Sequence, residues 1–411
     1  MISMIRCLAV CIAREIWSVL NMKFLFASDS FKGTLSSSDT ARLLRQAAEE
    51  VFPGCETDAI PVADGGEGTA EAVVNATGGS IRSVTVKDPL FRPVKAVYGS
   101  TGSTRAVIEM AQASGLLLLR EEEKNPLETS SYGTGELIRD ALDNGFRDIS
   151  IAIGGSATID GGMGCMTALG AMFLDESGNA LSGCGGDLER VSTIDLSGLD
   201  PRIAETKITV MCDVDNPLCG ERGATYTFGK QKGADEEMQK RLEAGMCRYR
   251  DLIRKTCNTD PDAIAGSGAA GGLGCALCVF LHGEMRSGIR TVLELIGFES
   301  RLKDVDLVVT GEGRTDWQSC YGKVMQGIGM FCKEKNIPVV GLSGSLGKGA
   351  EDIFQYGVES LITSVDAPMP MEEAFARAEE LYLSAARRMF RILRAGTCLR
   401  SQVHSNREVR Q

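Results

Sequence analysis

Short apolar runs that end in polar, glycine-rich turns recur along the chain. Residues 23–27, 149–153 and 307–309 are such runs, rich in aromatic or β-branched side chains. Runs of this kind are typical of strands buried on both faces, as in a parallel sheet. The first is followed by a polar turn and by a segment with helical apolar spacing, which Ser36 and Asp39 are expected to cap. The pattern predicts βαβ units and an α/β fold.

The length of 411 residues is enough for two domains. The strands expected near residues 23, 305 and 338 predict one parallel sheet. That sheet would form a Rossmann-like α/β domain from residues 22–69 and 288–396. Residues 70–287 are predicted to form a second α/β domain.

Both ends of the chain are expected to lie outside these domains. Residues 1–21 are assigned to an N-terminal extension, because Met22 immediately precedes the first expected strand. The apolar stretch within these residues is interrupted by Arg14 and Glu15 and is too short to cross a membrane. The stretch also lacks a clear cleavage site for a signal peptide. Residues 397–411 are assigned to a polar C-terminal tail.

Local patterns predict further elements in the middle of the chain. Residues 84–110 are expected to be rich in β-structure, with a turn at 98–102. Helices are expected at 136–144, 165–173 and 234–255.

The charge balance bears on the class of ligand. A net charge of -11, from 44 basic and 55 acidic side chains, argues against nonspecific binding to nucleic acid. The 14 cysteines are irregularly spaced, and Cys275 and Cys278 lie in an apolar run that favours a buried helix over a redox or zinc pair. The only histidines are His282 and His404. This usage favours a reducing cytoplasm.

Polar side chains cluster where the expected strands end. In open α/β sheets, ligands bind beyond the carboxyl ends of the strands. The candidates are Asp29, Ser30 and Lys32 after the first strand, Asp64 and Glu67 beside Gly65 and Gly66, and Glu312, Arg314, Asp316 and Lys323 after residue 310. The alternative is that they are solvated loop charges or helix caps.

A second candidate region is a loop that contains Gly154, Gly155, Ser156, Ala157 and Thr158. It lies between a strand and an apolar helix, and amides, hydroxyls and a helix dipole favour phosphate there. A tight structural turn is the alternative.

Two further loops carry charges near glycines or after strands. After the strand expected at 208–212, Asp213 and Asp215 offer oxygen ligands for Mg²⁺ or simply end the strand. Arg222, Lys230 and Lys232 are expected in an anion-facing loop.

Two nucleotide motifs are incomplete. Residues 266–271 match G-x-G-x-x-G, but no buried strand precedes them, so an NAD-dependent oxidoreductase has weak support. Residues 342–348 fail the Walker pattern because the first glycine is misplaced and Gly349 stands at the magnesium-binding hydroxyl position. The sequence therefore argues against an ordinary P-loop kinase.

Seven motifs together are similar to the bacterial class I glycerate kinase family, in that family's order over residues 22–394. They are residues 29–33 (DSFKG), 61–69 (PVADGGEGT), 153–158 (IGGSAT), 212–218 (CDVDNPL), 228–234 (FGKQKGA), 268–272 (GAAGG) and 310–314 (TGEGR). The resemblance implies ATP- and Mg²⁺-dependent phosphorylation of D-glycerate, usually on the 2-hydroxyl, to give 2-phosphoglycerate. It also implies two α/β domains with the active site in the cleft between them.

The resemblance and the needs of phosphoryl transfer suggest roles for these residues. The loop of residues 154–158 would hold the ATP phosphates, and Asp213 and Glu312 would hold Mg²⁺. Asp316 is the first candidate for the base and Asp64 the second. Lys32 is assigned a catalytic role, and Arg314 or Lys32 would bind the glycerate carboxylate. The remaining substrate-binding candidates are Asp29, Ser30, Gly65, Gly66, Glu67 and Lys323.

The sequence departs from the family pattern at three positions. Ile159 replaces an asparagine, Tyr321 a histidine, and Trp317 a small or polar residue. A kinase for another small hydroxy acid and a non-catalytic sensor of small acids therefore stay open as alternatives. No nucleic-acid or membrane partner is expected, and a homodimer is left open.

Overall fold

The computed structural model describes residues 22–31, 33–63, 65–66 and 68–408, with side chains described to residue 397. The chain forms two compact units. Of the described residues, those up to 62 and from 293 onward form the first unit, and those within 63–292 form the second. The domain limits expected at 69/70 and 287/288 stay a prediction, as does the position of the active site relative to the domains.

The strands are β1 (Lys23–Phe26), β2 (Glu56–Ala59), β3 (Ser80–Lys87), β4 (Pro93–Thr101), β5 (Arg105–Glu109), β6 (Asp148–Ala152), β7 (Met172–Leu174), β8 (Thr193–Asp195), β9 (Lys207–Met211), β10 (Glu284–Arg286), β11 (Leu307–Thr310), β12 (Arg314–Thr315), β13 (Val339–Ser343), β14 (Ser345–Leu346) and β15 (Val358–Thr363). The helices are α1 (Ser37–Val51), α2 (Thr69–Thr77), α3 (Ala111–Ser114), α4 (Tyr132–Asp143), α5 (Met163–Ala168), α6 (Ala224–Phe228), α7 (Glu236–Cys257), α8 (Leu273–Phe280), α9 (Gly288–Leu295), α10 (Phe298–Arg301), α11 (Val324–Glu334), α12 (Met371–Ala376) and α13 (Ala378–Glu408).

The first unit is built on a parallel five-stranded sheet in the order β15-β13-β11-β1-β2. Every residue of β11 and β13 is buried, as expected for strands covered on both faces. Phe24 lies opposite Leu307, and Val308 lies opposite Val339. The prediction that these three strands share one parallel sheet is confirmed.

Aromatic packing holds α1 and α13 against one face of this sheet. The Phe24 ring lies 5.5 Å from the Phe52 ring and 5.1 Å from the Phe390 ring, measured between centroids. Helix α1 begins at the expected cap, where the Ser36 hydroxyl accepts from the Asp39 amide and the Asp39 carboxylate accepts in return. The two helices and the sheet therefore share one apolar core.

The second unit contains a mixed six-stranded sheet in the order β10-β9-β6-β5-β4-β3. Strands β5, β6, β9 and β10 are parallel, and β3 and β4 extend the sheet antiparallel. The four parallel strands therefore end at one edge, so the residues that follow them are brought together there.

Two local predictions were wrong in this unit. The turn expected at 98–102 is strand as far as Thr101, because β4 continues pairing with β3 and β5. The helix expected at 165–173 ends at Ala168, and Met172–Leu174 is a strand paired with β8. Gly170 causes that break, since its φ of +102° favours glycine and a Cβ there would lie 2.1 Å from the Gly198 carbonyl oxygen.

Helix α4 begins earlier than residue 136, where it was expected to start. Gly133 and Gly135 lie inside the helix at contacts with neighbouring backbone. A Cβ on Gly133 would lie 1.9 Å from the Lys87 carbonyl oxygen, and one on Gly135 would lie 2.2 Å from that of Cys165. These glycines therefore permit close packing rather than form a turn.

Helix α13 continues to Glu408, into the segment assigned from the sequence to a tail. Residues 1–21, expected to lie outside the fold, fall outside the described residues. Within the described part of the chain, no helix has the length and apolar character needed to span a membrane.

Candidate active site

The predicted site residues are distributed over both units. In the first unit lie Asp29, Ser30, Glu312, Arg314, Asp316 and Lys323; in the second lie Gly65, Gly66, Gly154, Gly155, Ser156, Ala157, Thr158 and Asp213. Lys32, Asp64 and Glu67 lie outside the described residues. Their predicted roles stay predictions.

In the first unit, the ends of β1 and β11 bring Asp29 and Glu312 to one edge of the sheet. The Asp29 amide donates to the Gly311 carbonyl oxygen at 2.9 Å. Glu312 follows directly and is 8% exposed. The Thr315 hydroxyl donates to its Oε1 at 3.1 Å and is shared with the Ser343 hydroxyl at 2.7 Å. The Glu312 side chain is therefore held in place from two further segments.

The electrostatics around Glu312 suit a cation. Burial raises the pKa of this carboxyl, and the Asp29 charge raises it further. Ser319, Lys323 and Thr315 oppose that rise in the pKa of Glu312 through hydrogen bonds or positive charge. A cation near Glu312 and Asp29, in addition to Lys323, would offset the cost of burying the Glu312 carboxylate. It would also offset the repulsion between the two carboxylates. The two carboxylates supply the oxygen ligands that Mg²⁺ prefers.

Asp316 begins a short 3-10 turn of residues Trp317–Cys320. Its Oδ1 accepts from the Gln318 amide at 2.9 Å, and its own amide donates to the Ser319 hydroxyl at 3.1 Å. Its Oδ2 lies 3.5 Å from Nε of Arg314, which is 66% exposed on its side chain. The carboxylate is thus oriented by its own turn, with an exposed guanidinium beside it.

Two of the positions that depart from the family pattern form an exposed aromatic pair next to Asp316. The Trp317 and Tyr321 rings are 5.9 Å apart between centroids and nearly perpendicular. Both side chains are exposed. Lys323 follows them as the N-cap residue of α11. The two aromatic side chains therefore form part of the surface beside the candidate base, whereas Glu312 is buried.

In the second unit, glycine backbone brings several strand-end segments together. Gly65 has a φ of +90°, and a Cβ there would lie 2.7 Å from Cα of Gly288. A Cβ on Gly154 would lie 3.8 Å from Cα of Gly66. Asp213 Oδ1 accepts from the Gly288 amide and the Ser287 hydroxyl, each at 3.0 Å. The predicted residues Gly65, Gly66, Gly154 and Asp213 therefore converge.

Glu109 is a site residue that the sequence analysis missed. It ends β5, is buried, and accepts from the Gly68 amide at 3.2 Å and the Ala70 amide at 2.7 Å. The carboxylate therefore caps α2 and fixes the glycine segment that precedes it. Its position at the end of an apolar strand was the signal available in the sequence.

Lys232 was named from the sequence, but its contacts inside the second unit were not predicted. The side chain was expected to face an anion, but it is only 2% exposed. Its Nζ donates to the Ser156 hydroxyl at 2.6 Å and to the Thr158 carbonyl oxygen at 2.8 Å. Burial lowers the pKa of Lys232 to about 7, while Asp160 acts in the opposite direction. The lysine thus fixes the loop of residues 154–158 from inside the unit.

Fewer residues of the 154–158 loop are accessible to a phosphate than the sequence suggested. Ser156 and Thr158 are buried, and only Gly154 and Gly155 are exposed. Gly155 has a φ of +76°. Backbone at these two glycines is therefore the approachable part, and phosphate binding by the loop stays a prediction.

Asp160 occupies the start of the helix that follows this loop. Its buried carboxylate accepts from the Ser131 amide and hydroxyl and from the amides of Gly162 and Gly164, at 2.6–3.3 Å. Burial raises the pKa of Asp160, and these donors oppose the rise. The Asp160 carboxylate therefore occupies the positive, N-terminal end of the α5 dipole. Ile159 is buried in the core.

The G-x-G-x-x-G segment has a packing role. A Cβ on Gly268 would lie 2.1 Å from the Pro217 carbonyl oxygen, and one on Gly271 would lie 1.9 Å from that of Thr158. The Gly271 carbonyl oxygen also accepts from the Gly161 amide at 3.0 Å. Gly268 therefore packs against Pro217 and Gly271 against the 154–158 loop, which weakens the oxidoreductase alternative further.

Comparison with known proteins gives a consistent result. The family model described as "Glycerate kinase family" matches residues 24–394. A glycerate kinase of Bacillus subtilis is 44% identical over 89% of this chain and 96% of its own length. A glycerate 2-kinase of Escherichia coli K12 is 43% identical over 91% and 99%. A solved structure from Salmonella typhimurium LT2, assigned as glycerate kinase 2, has a TM-score of 0.83 and 44% identity, covering 92% of this chain and 99% of that one.

The buried amine of Lys232 makes stability depend on pH. Its pKa falls from 10.5 to about 7 on folding, so the unfolded chain binds more protons between these values. The free energy of unfolding should therefore rise with pH across this window relative to Lys232→Met, which carries no amine. Urea unfolding of both proteins at several pH values measures the difference.

The control for this experiment is Lys230→Met, because Lys230 is an exposed lysine in the same segment. Its stability relative to the unchanged protein should be independent of pH in this window. Parallel pH dependence of Lys232→Met and the unchanged protein would show that Lys232 keeps its ordinary pKa.

Proposed function

The chain belongs to the glycerate kinase family and is a kinase, and on that premise we propose that it phosphorylates D-glycerate with ATP. The product proposed is 2-phosphoglycerate, formed at the 2-hydroxyl. The observation that carries this proposal is that motif residues follow the carboxyl ends of parallel strands, namely Asp29 and Glu312 in the first unit and Gly154 and Asp213 in the second. A kinase acting on another small hydroxy acid remains the alternative.

The 154–158 loop is proposed to hold phosphate groups of ATP. Gly154 and Gly155 lack side chains and are exposed, so an anion can approach their backbone closely. The contacts of Lys232 with Ser156 and Thr158 support this role, since they keep the loop in one conformation without a ligand. A preformed loop binds its ligand at a lower entropic cost than a mobile one.

Glu312 is proposed as a Mg²⁺ ligand in the first unit, with Asp29 as an additional candidate beside it, and Asp213 is proposed as a Mg²⁺ ligand in the second unit. Their carboxylates fit a hard cation, and the raised pKa of Glu312 indicates a place where positive charge is favoured. When bound, the ion would neutralise charge on the phosphate oxygens. The described residues supply the orientation of these carboxylates through Thr315, Ser287 and Gly288.

Asp316 is proposed as the base, with Asp64 as the second candidate. In the reaction the glycerate hydroxyl oxygen bonds to the γ-phosphorus, the bond to the ADP oxygen breaks, and the hydroxyl proton passes to the carboxylate. Arg314 or Lys32 is proposed to bind the glycerate carboxylate. The proposed substrate contacts also include Asp29, Ser30, Gly65, Gly66, Glu67 and Lys323.

A cytoplasmic location is proposed as well. It is supported by the free thiols found among the described cysteines and by the proposed use of ATP. Oligomeric state is left open.

Identification of the product tests the proposed function. Phosphorus NMR after incubation with D-glycerate, ATP and Mg²⁺ should show ADP and 2-phosphoglycerate, and neither should form without the enzyme. A signal of 3-phosphoglycerate instead would correct the position of phosphorylation. The absence of any phosphorylated glycerate would contradict the substrate and direct the test to other hydroxy acids.

Asp316→Asn should lower kcat by about 100-fold or more, because the amide cannot accept the hydroxyl proton. Asparagine caps a turn about as well as aspartate, so the local fold should be retained. The apparent affinity for ATP should change little. A coupled ADP-release assay measures both quantities. Normal turnover of Asp316→Asn together with an inactive Asp64→Asn would identify Asp64 as the base.

Glu312→Gln should raise the Mg²⁺ concentration needed for half-maximal rate, so that added metal partly restores activity. Glutamine keeps the shape and can accept from Thr315, but it loses the negative charge that attracts the cation. Rates measured over a Mg²⁺ titration test this. Glu299→Gln, an exposed partner of Lys335 in the same unit, is the control and should leave the titration unchanged. Equal titrations for both variants would remove Glu312 from the metal site.

A further inference from the structure

A cluster of two cysteines and a glutamate lies in the second unit, away from the strand ends described above. Cys219 belongs to the segment after β9, and Glu243 and Cys247 lie on α7. One sulfur from each cysteine and one carboxylate oxygen all lie within 4.8 Å of one another. This separation lets a single ion contact all three groups.

The helix accounts for the pairing of Glu243 with Cys247. Side chains four residues apart are neighbours on one face of a helix. The segment that carries Cys219 is attached to this face, because the Gly220 amide donates to Glu243 Oε1 at 2.6 Å. The three groups are therefore brought together by regular structure and a short backbone contact.

An unpartnered carboxylate oxygen of Glu243 points to a missing ligand. Its residue is 9% exposed, and among the described residues its Oε2 has no hydrogen-bond partner. A buried carboxylate oxygen without a partner is costly. The other oxygen, Oε1, is already engaged by the Gly220 amide and, at 3.6 Å, by the Cys247 thiol.

A simple thiol–carboxylate network is the alternative explanation of the cluster. The contact from Cys247 to Glu243 belongs to such a network. However, the Cys247 thiol donates to Oε1 of Glu243, which already accepts from the Gly220 amide. The other oxygen, Oε2, is left without a hydrogen-bond partner among the described residues. A cation between the two sulfurs and the carboxylate would engage all three groups.

We propose that Cys219, Glu243 and Cys247 bind a thiophilic divalent cation of the zinc class, with water as the fourth ligand. Two sulfurs and one carboxylate oxygen are a ligand set that Zn²⁺ accepts in tetrahedral geometry. Cys219 and Glu243 are 7% and 9% exposed, and Cys247 is partly exposed, so solvent supplies the fourth position on that side. As the ion binds, each thiol loses its proton to solvent.

The charges nearby fit this assignment. Two thiolates and a carboxylate carry three negative charges, of which the cation offsets two. The Arg250 guanidinium acts on both cysteines and opposes the rise that burial causes in the pKa of each thiol. It also lies 3.2 Å from Asp262, whose carboxylate accepts from the Cys219 amide at 3.3 Å.

The expected effect of the ion is to tie the segment after β9 to α7. That segment begins with Asp213 and includes the contact of Gly220 with Glu243. The proposal does not depend on the proposed kinase activity, because it concerns metal binding alone.

Cobalt substitution of the purified full-length chain tests the proposal. With Co²⁺ as the probe, the protein should show a thiolate-to-cobalt charge-transfer band that saturates at one ion per chain. Zn²⁺ should displace the cobalt and abolish the band. Cys247→Ser should reduce the band and weaken Co²⁺ binding by at least about tenfold.

Cys257→Ser is the matched control, because Cys257 is a partly buried cysteine on the same helix outside the cluster. It should keep the band and the affinity of the unchanged protein. If Cys247→Ser does not fold by circular dichroism, Glu243→Gln replaces it, with weaker binding expected. Absence of the band in the unchanged protein, or unchanged binding in the folded cluster variant, would overturn the proposal.

Discussion

Parallel strand pairing is the constraint on which the candidate site depends. Strands β1, β11 and β13 in one unit, and β5, β6, β9 and β10 in the other, each end at a common edge. Their apolar side chains fill the core, so the first polar residue after each strand has to face that edge. Residues that are far apart in the chain, such as Asp29 and Glu312, become neighbours for this reason.

Glycine supplies a second constraint, which is the distance between backbones. At Gly65, Gly133 and Gly271 an added Cβ would lie less than 3 Å from neighbouring backbone. The abundance of glycine therefore reflects close packing of segments as much as ligand binding. The G-x-G-x-x-G match shows this, because Gly266 and Gly268 pack against the backbone of Val214 and Pro217, and Gly271 packs against that of Thr158.

The sequence predicted β1, β6, β9, β11 and β13 well, because their apolar runs are short, buried and bounded by turns, but it did not predict β2, β10 or β15, which lack such runs. It predicted the start of α4 and the end of α5 poorly, since glycine at close contacts has the same local signature as glycine in turns. Lys232 and Glu109 were misjudged or missed for a related reason. Their partners, the 154–158 loop and the start of α2, are distant in sequence, so local pattern carries no information about the contacts.

Buried charge in the second unit limits how the 154–158 loop can bind an anion. Lys232 engages the Ser156 hydroxyl and the Thr158 carbonyl oxygen, and Asp160 engages the amides that begin α5. These contacts engage the Ser156 hydroxyl and the amides of Gly162 and Gly164, which a phosphate could otherwise use, whereas the buried Thr158 hydroxyl has no hydrogen-bond partner among the described residues. What stays exposed is the backbone of Gly154 and Gly155. The loop's specificity for an anion would then come from the geometry of its exposed backbone. Ile159 is compatible with that geometry, because its side chain is buried in the core.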